Sequence, residues 1–187
     1  METVKTNNTN EEFKKAFASC KEVFINKLRD YGASWRIMRV PSITDQVFIK
    51  ASRLRSVQEC GHAEVAESEA DAFIAIVNYC IVGLIQLLHK PVLIPDMTVE
   101  EAIQEYDSFA AQCFELMKHK NHDYGEAWRG MRIESYVDLI LMKLYRTKQI
   151  EENHGKTLVS EGIDANYMDM INYSIFGIIR LEIEAEL

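Results

Sequence analysis

The chain has 187 residues, a formal net charge of −8 and a pI of about 5.2. That acidity excludes a broad electrostatic grip on duplex nucleic acid, where affinity comes mostly from neutralising phosphates. A hydrophobic content of 48% is enough for a core that needs neither metals nor disulfides. The four cysteines, Cys20, Cys60, Cys80 and Cys113, show no CxxC spacing and are expected to be reduced and semi-buried, which favours a cytoplasmic location.

Residues 1–10 are polar, carry no apolar signal-peptide core and are expected to form a disordered tail. Phe13, Phe17, Cys20, Phe24 and Leu28 recur at helical spacing and predict a first helix from about Glu11 to Asp30, capped by Thr9 or Asn10 and ended by Tyr31-Gly32. The segment from Ala33 to Ser42 has no periodicity and reads as an ordered loop. A second helix runs from Ser42 or Thr44 to Cys60, with Gly61 as its stop. A third is expected from about Val65 to His89. Its apolar run, Ala72 to Leu88, is broken by Asn78, Gly83 and Gln86 and falls short of the roughly 20 residues of a membrane span, so it predicts a buried core helix and no membrane partner.

The proline-containing connector 91–97 follows, and Thr98-Val99-Glu100-Glu101 matches a capping box that opens the fourth helix, which runs to about His122. A loop from Tyr124 to Glu134, a fifth helix from Ser135 to about Asn153, a turn near Gly155 and a sixth helix from about Glu161 to Glu184 complete the chain. No useful stretch alternates with period two, so no strands are expected.

Asp30-Tyr31-Gly32-Ala33-Ser34-Trp35-Arg36-Ile37-Met38-Arg39 returns as Asp123-Tyr124-Gly125-Glu126-Ala127-Trp128-Arg129-Gly130-Met131-Arg132, 93 residues later. The same offset aligns Cys20 with Cys113, Lys27 with Lys120, Lys50 with Lys143 and Arg53 with Arg146. After a one-residue insertion, an offset of 94 aligns Gly61 with Gly155, Glu67 with Glu161, Asn78 with Asn172 and Gly83 with Gly177. The chain therefore reads as a tandem duplication, repeat 1 over 11–90 and repeat 2 over 98–187, forming one domain. The predicted fold is all-α, a six-helix bundle of two three-helix repeats with pseudo-twofold symmetry. The third and sixth helices, apolar almost all round, should meet at the axis, with Gly83 and Gly177 permitting close approach.

On the third helix Glu67, Asp71 and Asn78 fall within about 40° of one another, and Glu161, Asp164, Asp169 and Asn172 form a looser polar line on the sixth. Acids on such helices need pairing, hydrogen bonds or a cation. Reflection through the connecting loops brings Arg53 level with Asp71, and Arg146 level with Asp169. Two readings follow. In the first, the charges form a structural salt-bridge network in a non-catalytic binding or interaction module. In the second they line a pocket for a small-molecule nucleotide: Lys50, Arg53, Lys143 and Arg146 on phosphates with Arg36, Arg39, Arg129 and Arg132 from the loops, Trp35 or Trp128 stacked on a base, and Glu67, Asp71, Glu161 and Asp169 on Mg²⁺. His119 and His122 have HxxH spacing that repeat 1 does not share, and an exposed helix end accounts for them. No GxSxG, P-loop or HExxH motif occurs. A monomer and a homodimer both fit the duplication.

Lys-x-x-Asp-Tyr-Gly-x-x-Trp-Arg, followed by Asp-x4-Lys-x2-Arg and then by Glu, Asp and Asn-Tyr, resembles the nucleotide modification-associated helical family of bacterial and phage proteins. The match covers Lys27 to Tyr79 and Lys120 to Tyr173 and implies a role in nucleotide metabolism or modification. More distantly, the helical plan looks like the MazG-like and dimeric dUTPase group of all-α nucleotide pyrophosphohydrolases, in which carboxylates on adjacent helices hold Mg²⁺ for attack by water on a phosphoanhydride. That resemblance implies Mg²⁺-dependent hydrolysis. The ExxE pair expected on the earlier helix is replaced here by Asp45, Lys50 and Arg53, or Asp138, Lys143 and Arg146, and Ala75 stands opposite Asp169.

Overall fold

A computed structural model describes residues 8–183. It contains six α-helices, α1 (Thr9–Tyr31), α2 (Val40–Cys60), α3 (Glu69–His89), α4 (Val99–Tyr124), α5 (Ile133–Glu152) and α6 (Ile163–Ile178), with no strand among the described residues. A turn of 3₁₀ helix precedes α2 (Ser34–Ile37) and α5 (Ala127–Gly130), and α6 runs on into a π-helical turn, Ile179–Ile183. The all-α, duplicated architecture is as the sequence predicts.

Helix starts are set by caps, and these correct several boundaries. Asn8 caps α1, its side chain accepting from the Glu11 amide, so Thr9 and Asn10 are helical and not part of a tail. The rest of the expected tail, 1–7, lies outside the described residues, as does the expected end of the last helix at Glu184. Helix α3 begins at Glu69 and not near Val65, because Ser68 and Asp71 form a reciprocal capping box that satisfies two amide donors. The same device opens α4 with Thr98 and Glu101, as expected. Pro41 sits in the first turn of α2, where its missing N–H costs nothing, and moves that start back to Val40.

The central pair is α3 and α6, flanked by α2 and α5 on one side and by α1 and α4 on the other. This explains why α3, long and apolar enough to cross a membrane by composition alone, is instead covered by four helices. Each fully buried Ile, Val or Phe along it contributes about 1.5–3 kcal/mol. The axis is interlocked by two symmetry-related contacts: a Cβ at Gly83 would lie 2.7 Å from the Tyr167 ring, and one at Gly177 would lie 2.8 Å from the Phe73 ring. Phe73 and Tyr167 are themselves repeat partners.

Other paired positions also prove structural. Asn78 donates to the Cys20 carbonyl, and Asn172 to that of Cys113. The outer helices α2 and α5 are bridged twice, by Arg55 with Asp138 at 3.6 Å and by Lys148 with Asp45 at 2.6 Å. Cys20, Cys80 and Cys113 are buried and Cys60 is exposed, all as free thiols. Burial pushes the Cys113 thiol up to about 12 and raises Cys20 and Cys80 as well, so these three are inert core residues.

Candidate functional site

The two Trp-Arg turns are held from below by equivalent residues of different chemistry. Gln86 donates to the carbonyls of Arg36 and Met38 at 2.9 and 2.6 Å. Its repeat partner Arg180 donates to the carbonyls of Arg129 and Met131. The Arg36 side chain is only 2% exposed and bonds Gln86 and, at 2.9 Å, Asp96. Its hydrogen bond holds the Asp96 carboxyl below the usual range. Arg129 lies 4.2 Å over the Trp128 ring and pairs with Glu126 and Glu12. Both arginines are thus fully engaged in fixing their turns. Arg39 and Arg132 stand exposed at the N-caps of α2 and α5.

The acids of the polar lines are separated. Glu67 takes both Lys50, at 2.7 Å, and Arg53, at 3.2 Å. Asp71 is exposed and committed to the Ser68 cap, so the expected Arg53–Asp71 register does not form. Asp169, nearly buried, lies between Lys143 at 2.6 Å and Lys120 at 2.5 Å, and these lysines, not Arg146, are its partners. Burial works against the Lys120 ammonium, but its hydrogen bond and charge interaction with Asp169 leave its pKa raised. Glu161 and Arg146 line a separate cleft at the α5–α6 end. Glu67, Asp71, Glu161 and Asp169 therefore do not converge, and no group of three or more metal-ligating side chains occurs among the described residues. The residues present do not fit a protein-built Mg²⁺ cage.

Where the two halves differ around the tryptophans, one of them opens. In repeat 2 the Phe176 ring stacks on Trp128 with centroids 4.3 Å apart and planes 9° apart, and the indole N–H donates to Asn121 at 3.1 Å. The equivalent positions in repeat 1 are Val82 and Leu28. Trp35 leans on Phe24, with centroids 6.3 Å apart, and its indole N–H has no partner among the described residues. The space that Phe176 fills in repeat 2 is here part of a cavity of about 390 Å³, lined by Trp35, Val82, Ala75, Tyr79, Tyr31 and Lys27. Ala75 replaces Asp169, so Lys27 lacks the partner that holds Lys120. Burial, with Tyr79 and Asp30 nearby, raises the Tyr31 hydroxyl above its ordinary value.

Of the residues that the sequence singles out, this pocket includes Trp35 and, from the polar line of α3, Asn78. Lys27, Ala75, Tyr79 and Val82 carry no catalytic signature of their own in the sequence; their signal lies in the differences between the repeats, Ala75 against Asp169 and Val82 against Phe176.

An all-α tandem repeat with this Trp-Arg signature matches the family model described as nucleotide modification associated domain 1, over residues 27–87 and again over 120–181. The chain belongs to that family, in duplicate. No curated protein and no solved structure matches it, so the more distant likeness to MazG-like enzymes has no support among known relatives.

Proposed function

We propose that this protein binds a nucleotide, in keeping with a role in nucleotide metabolism or modification, and that the base enters repeat 1. The observation that carries this is the Trp35 pocket: repeat 2 places a flat ring against its tryptophan from within the chain, and repeat 1 leaves that place open. A base stacked on Trp35 would gain about 1–3 kcal/mol. Lys27 at the rim supplies a cation for phosphate. Any Mg²⁺ would travel with the phosphates, since the protein's own carboxylates are dispersed. Binding is the activity this geometry supports, and no hydrolytic step is derived from it.

The test uses Trp128→Phe, which leaves Trp35 as the chain's one tryptophan. Nucleoside mono-, di- and triphosphates, each with and without Mg²⁺, should quench its fluorescence and raise Tm. Ligand at about a hundred times its Kd stabilises by about 2.7 kcal/mol. Trp35→Ala in the parent chain should abolish the rise in Tm. A flat panel in both readouts would refute nucleotide binding and leave the salt-bridged bundle as an interaction module.

A further inference from the structure

The second repeat has an opening of its own, at a different place. Between the end of α5, the following turn and the start of α6 lies a cleft of about 560 Å³, whose lining includes Lys143, Arg146, Lys156, Thr157, Ser160 and Asn166. In repeat 1 the corresponding place is closed by its own ion pairs: Glu67 draws in Lys50 and Arg53, and Arg53 also donates to the carbonyls of Val65 and Glu67. In repeat 2 the equivalent acid, Glu161, forms no such pair. Lys143 turns to Asp169, and Arg146 and Lys156 make no ion pair with a described residue.

The substitutions between the repeats run in one chemical direction. His62 becomes Lys156, Ala63 becomes Thr157, Ala66 becomes Ser160 and Ala72 becomes Asn166. One further cation and three hydrogen-bonding side chains thus replace a histidine and three methyl groups around one opening, in a chain of net charge −8. Lys120 and Lys143 share the single charge of Asp169, so that trio adds to the positive potential at the cleft's inner end. Glu161 is the one carboxylate in the lining.

We infer that this cleft is an anion site for a phosphate chain, held by Arg146 and Lys156 with Ser160 and Asn166 as neutral partners, while the Thr157 hydroxyl donates to the Ser160 carbonyl at 2.7 Å and shapes the turn. The guanidinium of Arg146 supplies the paired donors that phosphate oxygens prefer, and Lys156 supplies a point charge. The site does not depend on the Trp35 pocket. Its ligand is either a free oligophosphate or the phosphate tail of a nucleotide.

Calorimetric titration of the full chain with inorganic tripolyphosphate at low salt tests it, with a sulfate titration at matched ionic strength as control. Saturable tripolyphosphate binding is expected, weakened about tenfold by Arg146→Gln and again by Lys156→Gln. Thr157→Glu, a surface change that places an anion in the cleft, should abolish it, and Trp35→Ala should leave it intact. Tripolyphosphate and a nucleoside triphosphate binding with equal affinity would identify the phosphate chain as the whole ligand, whereas tighter nucleotide binding that keeps the same Arg146 dependence would identify a nucleotide tail. No saturable binding, binding indifferent to all three cleft variants, or equal binding of sulfate would overturn the assignment. Because tripolyphosphate carries no base, failure here leaves the Trp35 reading to its own fluorescence test, and the converse also holds.

Discussion

Repeat 1 and repeat 2 share a fold and have closed opposite openings. At the tryptophan, repeat 2 packs Phe176 on Trp128 and ties Lys120 to Asp169, whereas repeat 1 keeps a pocket. At the end of the central helix the order reverses, with Glu67 pinning Lys50 and Arg53 in repeat 1 and a cleft left in repeat 2. The lesson is that identity between the copies marks what the bundle needs, and difference marks what each copy can still admit. The Asn-to-carbonyl bonds of Asn78 and Asn172 show the same rule at small scale. Tyr106 satisfies the Asn78 oxygen at 3.0 Å, but its repeat partner is Phe13, and the buried Asn172 oxygen has no partner among the described residues.

The contrast breaks most visibly at the acids. Asp169→Asn should cost about 3–5 kcal/mol, because it leaves the nearly buried Lys143 ammonium unpaired. Glu67→Gln, whose partners reach solvent, should cost less than about 1 kcal/mol. Paired denaturant titrations measure both, and equal losses would mean that the two ion-pair centres are energetically alike.

Exchanging the ring positions sharpens the comparison at the tryptophans. Phe176→Val should destabilise by about 2 kcal/mol and open a pocket at Trp128. Val82→Phe should fill the repeat 1 pocket, raise stability by about 1 kcal/mol and remove nucleotide-induced quenching of Trp35. Retained quenching in a stably folded Val82→Phe protein would show that ligand does not occupy this space.

A smaller effect concerns the seam between the copies. Glu151 accepts from Thr44 at 2.6 Å and is half-buried, and burial outweighs that hydrogen bond to raise its pKa above the ordinary 4.5. A raised acid favours the fold fully below its unfolded pKa, and that contribution is lost as pH rises through the folded value. Thermal melts should therefore show Glu151→Gln slightly more stable than the parent near neutral pH and no more stable below about pH 4. Repeat 1 carries Gln58 at the equivalent position, so this substitution makes the copies more alike.

Much of the fold was legible because it is written locally. The duplication, the Thr98 capping box, Gly61 as a stop and the close approach of α3 and α6 at Gly83 and Gly177 all follow from short patterns. The α3 start lies later than the apolar pattern from Val65 suggests, because the Ser68 cap sets it. Ion-pair partners are hidden because helix register does not fix side-chain reach: Lys120 arrives at Asp169 from α4, which is not the neighbour of α6 in sequence. The Trp-Arg turns drew attention through their repetition, and that repetition reflects carbonyls held by Gln86 and Arg180 and the packing of Arg36 and Arg129. The pocket was least legible, because an opening is defined by missing atoms, and Val82 or Ala75 means little until Phe176 or Asp169 is set beside it.

The reciprocal seating of Gly83 under Tyr167 and Gly177 under Phe73 also gives the connector between Lys90 and Thr98 a purpose other than spacing. Two separate halves would have to find each other by diffusion before either central helix was covered. Joined by a short tether, each half meets the other at an effective concentration on the order of millimolar, so assembly of the bundle becomes independent of how dilute the protein is. Duplication has in this sense turned a concentration-dependent encounter into a step of folding, and freed the two copies to diverge, since one chain always delivers one of each.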